Sequence, residues 1–281
     1  RIFTNLYVSL VASGEETGKM SASYRQLIKY LKWVDAMQAR VRKATRYPMI
    51  LCIVVVAAVT IMMGHVVPQI VEFIRNMEFE LPFATTSLIA TSDFFQAYWH
   101  LVLLTPVVIV ASVLALRKSS EGIAYRIDRI LIEMPIMGPL IRKINIARFC
   151  QTFGALYAAG LPILEAINSA QSTVSNRALH EALDSIQALI KSGSPLSEAF
   201  NGSGEFPSMV VRMLKVGEDS GNLTTVLEQV SDFYTSDVDE EVQKLIAMIE
   251  PSLTMVLGGM ILWIAVGVFG PIYNSFEDMQ F

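Results

Sequence analysis

Three uncharged apolar blocks constrain this chain more than any other feature. Met49–Val67 is nineteen residues without Lys, Arg, Asp or Glu, and Trp99–Leu116 and Ser252–Phe269 are eighteen each. A helix needs about 20 such residues to cross the hydrocarbon core of a bilayer, and each block reaches that length with its flanks. The core helices of a soluble protein do not need such a run three times. The charged fraction is 17%, against about 25% in ordinary soluble domains. The chain therefore reads as an all-α membrane protein with three transmembrane helices.

Lys and Arg near the ends of the blocks set the expected orientation. Arg25, Lys29, Lys32, Arg40, Arg42, Lys43 and Arg46 precede the first block. Arg117, Lys118, Arg126, Arg129, Arg142, Lys143 and Arg148 follow the second. Between these blocks stands Arg75 alone, against Glu72, Glu78, Glu80 and Asp93, and the tail after Pro271 carries Glu277 and Asp278 without a base. Both basic flanks are expected in the cytoplasm, with the connector and tail outside. One flank is weak: Asp237, Asp239, Glu240 and Glu241 precede the third block with only Lys244. Tyr98 and Trp99 suit the outer interface as aromatic belt residues.

The chain repeats itself. Gly14-Glu15-Glu16-Thr17-Gly18 recurs as Gly217-Glu218-Asp219-Ser220-Gly221, an offset of 203. Without a gap the same offset pairs Phe3 with Phe206, Pro48 with Pro251, Gly64 with Gly267, Pro68 with Pro271 and Phe73 with Phe276. Two copies of one unit follow, each a helical cytoplasmic domain, a long helix and a span. The expected organisation is the C-terminal part of a first cytoplasmic domain (1–47), a span (48–68), an outer connector (69–97), a second span (98–117), a second cytoplasmic domain (118–250), a third span (251–270) and an outer tail (271–281). The chain opens on Arg1 without Met or a signal-peptide pattern and is read as lacking the front of its first copy.

The second cytoplasmic domain reads as about six helices. Ile141–Ala159 is ended by Gly160, and Pro162 restarts a helix where its missing N–H costs nothing. Asn176 caps a helix to Lys191 that Gly193 closes. Ser194 caps Pro195–Phe200, and Asn201 to Gly204 is a loop. Pro207 opens a helix stopped by Gly217. Asn222 caps a long final helix with an apolar stripe of Val226, Val230, Phe233, Val238 and Leu245.

Few residues offer chemistry. Gly14 to Ser21 has the flavour of a phosphate-binding loop, but its glycine spacing is one short, Met20 stands where Ser or Thr must be, and two glutamates would repel phosphate. His180-Glu181 begins like a zinc-protease motif but meets Asp184 instead of a second His. Cys52 and Cys150 have no partner spacing, and His65, His100 and His180 are scattered. No catalytic residue, cofactor or metal is expected, and no nucleic acid, since membrane-proximal bases suit anionic lipid better. The residues singled out as structural or partner contacts are Gly14, Glu15 and Gly18, their counterparts Gly217, Glu218, Asp219 and Gly221, and Pro48, Glu250 and Pro251 at the cytoplasmic span edges. Glycines there permit positive φ, the acids are placed to cap the next helix start, and Pro251 starts a new helical segment. Gly258, Gly259 and Gly267 are expected at packing faces.

Several of these stretches resemble a known family. Phe206-Pro207-Ser208-Met209, Val216 through Leu223, Ile249-Glu250-Pro251 and Gly270-Pro271-Ile272 are similar to the C-terminal half of the type II secretion F / type IV pilus PilC family. Gly160-Leu161-Pro162-Ile163-Leu164-Glu165-Ala166 matches the start of that family's repeat. The first copy departs in carrying Tyr47 where the second has Glu250. The resemblance implies a self-associating platform in the bacterial inner membrane. Its implied partners are a hexameric cytoplasmic assembly ATPase, pilin or pseudopilin subunits and other inner-membrane assembly proteins. It leaves open which fibre is built, a mannose-sensitive-haemagglutinin type of pilus included. Two readings compete. A small transporter built on an internal repeat would need polar groups in broken helices at mid-membrane, which these blocks lack. A membrane-bound enzyme or sensor would need a catalytic constellation.

Overall fold

A computed structural model describes residues 5–16, 18–75, 82–135 and 137–278. The middle of the expected connector and the last three residues of the expected tail lie outside the described residues, as do Phe3 and Thr17. The described elements are all helical. They are α1 (Asn5–Glu16), α2 (Met20–Ile61), a π turn (Met62–Val66), α3 (Val67–Arg75), α4 (Phe83–Ser119), α5 (Glu121–Glu133), α6 (Met137–Ala158), α7 (Ile163–Gln171), α8 (Arg177–Lys191), α9 (Leu196–Gly202), α10 (Ser208–Ser220) and α11 (Leu223–Asp278). Two compact units form, residues 1–42 with 116–243, and residues 43–115 with 244–281.

The first unit is a helical bundle built around α6. Phe149, Cys150, Phe153 and Leu156 are buried on α6, and so are Asn145, Gln151 and Thr152. A helix buried around most of its circumference belongs at a centre. Phe149 is the hub of an aromatic cluster, with ring centroids 5.7 Å from Phe153, 5.9 Å from Phe200 and 6.0 Å from Phe206. Such tilted pairs add to plain area burial. Leu6 and Leu10 of α1 and Leu27 of α2 lie in the same core, so both copies of the repeat contribute to one hydrophobic interior.

Several local expectations change. The stretch 118–250 holds seven helical elements, because α5 was not anticipated. Gly217 does not stop α10; it is buried inside it, and the left-handed Gly221 ends the helix. Asn201 and Gly202 belong to α9. Pro162 sits one residue before α7, as its N-cap. Ser194 makes no cap; Pro195 flanks α9 and the capping acceptor comes from elsewhere. In the α11 stripe, Val226, Val230 and Val238 are buried, but Tyr234 takes the core position and Phe233 is 43% exposed. The helical period of 3.6 runs from Val230 to Tyr234, which leaves Phe233 off the buried face. Other expectations hold. Gly160 and Gly193 follow α6 and α8 with φ of 95°, and Asn176 caps α8 by accepting from the Ala178 and Leu179 N–H groups at 3.0 and 3.2 Å.

The second unit contains the apolar blocks. Among the described residues two helical runs are long and apolar enough to cross a membrane, Met20–Glu72 and Leu223–Gly270, both largely unburied over their apolar windows. Ile50, Ile53, Val54, Met255 and Leu262 are each more than half exposed, an apolar surface of the kind that a membrane or a protein partner covers. Neither Pro48 nor Pro251 breaks its helix, so Pro251 does not start a new segment. The expected span 98–117 lies in α4 after a kink at Tyr98, whose φ of −125° and ψ of 15° are not helical; some of its side chains lie outside the described residues. The described parts of the expected connector are helical too. Thr85 Oγ1 donates to Gly267 O at 2.7 Å and Trp263 Nε1 to Ser87 Oγ at 3.2 Å. A Cβ on Gly267 would stand 2.9 Å from Leu88 Cδ2, whereas Gly258 and Gly259 face open space. Gly267 alone of the three is at a packing face. In the π turn the Val67 N–H reaches back to Met62 O, and the next residue, Pro68, has no N–H to offer.

Candidate functional site: a glycine corner built twice

The repeat is a structural one. α10 and α1 occupy equivalent positions under the 203 offset, and α11 and α2 begin at the equivalent residues Leu223 and Met20. The described residues of the corner between them share two backbone features in both copies. Gly18 and Gly221 have φ of 67° and 68°, a conformation that favours glycine. Their N–H groups bond Glu15 O and Glu218 O, each at 3.4 Å. Gly14 and Gly217 serve a different purpose from these two. A Cβ on Gly14 would stand 2.6 Å from Ser23 Oγ and 3.0 Å from Met20 Sδ, and one on Gly217 would stand 3.2 Å from Leu223 and Val226. Positions 20 and 23 are the repeat partners of 223 and 226. Each corner thus presses an uncushioned helix end against the first turn of the next helix, so Gly14 is part of a helix and not of a phosphate loop.

Beyond the corner the equivalent helices lie alongside one another and run the same way. Lys29 pairs with Glu228 at 2.8 Å, Trp33 Nε1 donates to Thr235 Oγ1 at 3.3 Å, and Arg40 pairs with Asp239 at 2.8 Å. Lys143 pairs with Asp237 and Glu241 at 3.0 and 2.9 Å. Three carboxylates of the acidic flank that weakened the orientation reading are therefore held by two cations of the bundle, Arg40 and Lys143.

The acids of the corner were expected to cap the helix that follows. Glu218 instead caps α9, which lies upstream. Leu196 N–H donates to its Oε1 at 2.7 Å, and Ser197 N–H and Oγ donate to its Oε2 at 3.1 and 2.8 Å. Burial by itself would raise the carboxyl's pKa, but the three hydrogen bonds from Ser197 and Leu196 outweigh it and hold it below the ordinary glutamate range. Glu15 and Asp219 are exposed. Glu250 is exposed at the edge of the third apolar block, its carbonyl accepting from Thr254 Oγ1 at 3.0 Å.

A second carboxylate was missed. Asp128 of α5 is 1% exposed. Its Oδ1 accepts from Arg117 at the end of α4, its Oδ2 accepts from Arg177 N–H at 3.1 Å, and its carbonyl accepts from Asn176 Nδ2 at 2.9 Å. With Asn176 it completes the cap of α8. The only sequence signal was the cap residue Asn176, which says nothing of a partner 48 residues away. Glu205 is a similar clamp, accepting from Arg129 at 2.7 Å and pairing with Arg142 at 3.1 Å.

The Cys150 thiol is pushed up to about 12 by burial, far from a thiolate nucleophile. Among the described residues no group of His, Cys, Asp and Glu is arranged to hold a metal.

The family profile of type II secretion system protein F matches residues 1–68 and 149–271, more than half of the chain. The chain belongs to that family. The two matched blocks end at Pro68 and Pro271, the repeat pair that closes each copy. This F-family chain is 31% identical over 280 residues to the type IV pilus assembly protein PilC of Myxococcus xanthus, covering all of the chain and 67% of that protein. It is 32% identical over 275 residues to PilC of Thermus thermophilus, covering 98% of the chain and 68% of that protein. To the type II secretion system protein F of Xanthomonas campestris it is 30% identical over 275 residues, covering 97% and 67%. The F-family chain thus spans about two thirds of the length of these relatives.

Proposed function

We propose that this chain is a non-enzymatic platform of a type IV pilus or type II secretion machine, set in the bacterial inner membrane by three spans. Its helical bundle faces the cytoplasm, where it meets an assembly ATPase and passes motion to pilin or pseudopilin subunits. The observation that carries this reading is α11, a single helix from Leu223 to Asp278. It starts at the glycine corner of the bundle and contains the third apolar block. One uninterrupted helix is a suitable element for carrying a displacement from a bundle toward a bilayer. The relatives' names, pilus assembly protein and secretion system protein, support the same assignment. The exposed corner acids Glu15 and Asp219 are proposed contacts for the ATPase, with Glu250 and Pro251 at the membrane edge.

The full chain purified in detergent is expected to retain an assembly ATPase of a type IV pilus or type II secretion machine. Failure of the wild-type chain to retain any such ATPase, together with intact pilus assembly or secretion in Glu218→Lys and Gly221→Trp, overturns the reading. The topology has its own check. With Cys52 and Cys150 replaced by Ser, a Phe79→Cys chain is expected to react with a membrane-impermeant thiol reagent in cells whose outer membrane has been opened. Reaction only after full lysis would place the connector inside and sink the three-span arrangement.

A further inference from the structure

We propose an acidic-phospholipid site on the first apolar helix, formed by Lys43, Arg46, Tyr47, Ile50 and Val54; it rests on the membrane reading above. These residues fall at steps of three and four along α2, so they share one helix face. All are exposed, Tyr47 at 56%, Ile50 at 56% and Val54 at 57%. The order along that face is two cations, an aromatic hydroxyl, then branched aliphatics. A membrane lipid presents the same order: a phosphodiester, a glycerol ester region, then acyl chains.

Two comparisons separate this face from the general excess of cytoplasmic bases. Upstream on the same helix, Lys29 and Arg40 are consumed by Glu228 and Asp239. Lys43 and Arg46 have no ion-pair or hydrogen-bond partner among the described residues. The repeat supplies the second comparison. The residues equivalent to Lys43, Arg46 and Tyr47 in the second copy are Ile246, Ile249 and Glu250. At those three positions that copy offers no cation and places a carboxylate where the first has a phenol. At these positions the two otherwise matching span edges are therefore opposite in charge, and of the two copies the first carries the cationic address. Cations one helical turn apart, on long flexible stems, can bracket a single phosphate while their stems lie on the apolar surface.

The test uses the full chain in neutral detergent, with retention of added phosphatidylglycerol and phosphatidylcholine read by native mass spectrometry. Wild type is expected to keep phosphatidylglycerol in preference to phosphatidylcholine. Lys43→Gln/Arg46→Gln is expected to lose that preference by roughly tenfold or more, from the attraction of each juxtamembrane base for anionic lipid. Lys43→Arg/Arg46→Lys is expected to keep it, as is Ile246→Gln/Ile249→Gln. No phosphatidylglycerol preference in wild type, or an unchanged preference in the Gln pair, overturns the site. Displacement of the lipid by millimolar inorganic phosphate shows a free-anion site and overturns the lipid assignment. Alkaline washing of membranes separates the two proposals. A wild-type chain that washes out defeats the membrane reading itself, whereas one that stays in but lacks the preference defeats only the lipid site.

Discussion

Asp128→Ala is expected to lower the stability of the helical bundle by about 3 kcal/mol, the low end of what removing one partner of a buried pair costs. The low end applies because Arg117 is 35% exposed and can turn toward water once its partner is gone. Arg177 N–H, part-buried at the start of α8, also loses its acceptor, at a cost of at most the roughly 1–3 kcal/mol of a fully buried unpaired N–H. The carboxylate's site, 1% exposed in the protein, becomes a void. Thermal unfolding of the purified chain in detergent reads the effect. Asp128→Asn keeps an acceptor for one of the two donors without the charge, and is expected to recover part of the loss. An Ala variant that unfolds within about 0.5 kcal/mol of wild type, the range of an ordinary surface substitution, would show that the pair is incidental. Since Arg117 stands at the end of α4 and Asp128 holds the start of α8, the same variant is expected to reduce pilus assembly or secretion where the platform is needed.

Glu218→Gln comes next in size, at about 1–2 kcal/mol, the usual range for a lost helix cap strengthened by charge. The side chain is more exposed than Asp128, so water screens the carboxylate and replaces part of what is lost. Its pH dependence has a definite sign. The folded-state carboxyl is held below its ordinary value, so its contribution is fully present above the unfolded pKa of about 4.3. That contribution fades as the pH falls through the folded value. The stability gap between wild type and Glu218→Gln is therefore expected to be widest near neutrality and to close in acid. A gap that widens in acid would contradict the geometry. Glu15→Gln is the internal control. Glu15 occupies the same position in the other corner but has no side-chain partner among the described residues, and its replacement is expected to change stability by no more than about 0.5 kcal/mol.

The contrast between these two glutamates shows how far the sequence carries. The repeat was legible because Gly-acid-acid-x-Gly and the span-edge prolines recur at one offset, and the corners prove to be alike in backbone, with φ of 67° at Gly18 and 68° at Gly221. The role of each acid was not legible. Glu218 finds α9 within reach and Glu15 has no equivalent neighbour among the described residues, a difference that the shared motif cannot contain. Phe233 and Tyr234 make the same point within one helix. Both are aromatic and adjacent, and only the direction of the core decided that Tyr234 is buried and Phe233 is not. At Pro48 and Pro251 a local rule was overridden. Each proline removes one hydrogen bond, yet the helix continues on both sides, since the flanking turns supply many more bonds than the single one lost.

By itself, then, the sequence determined the helical class, the apolar blocks, the doubled unit and the glycine corners. These are properties of neighbouring residues: hydropathy over a span's length, and the φ freedom of single glycines. Only the tertiary structure decided that Asp128 caps α8 and Glu218 caps α9, and that Lys29 and Arg40 are spent on Glu228 and Asp239 while Lys43 and Arg46 are not. The physical reason is range. A polar group's partner is whatever packing brings within about 3 Å, and in this bundle packing brings together residues from 11 to 202 positions apart.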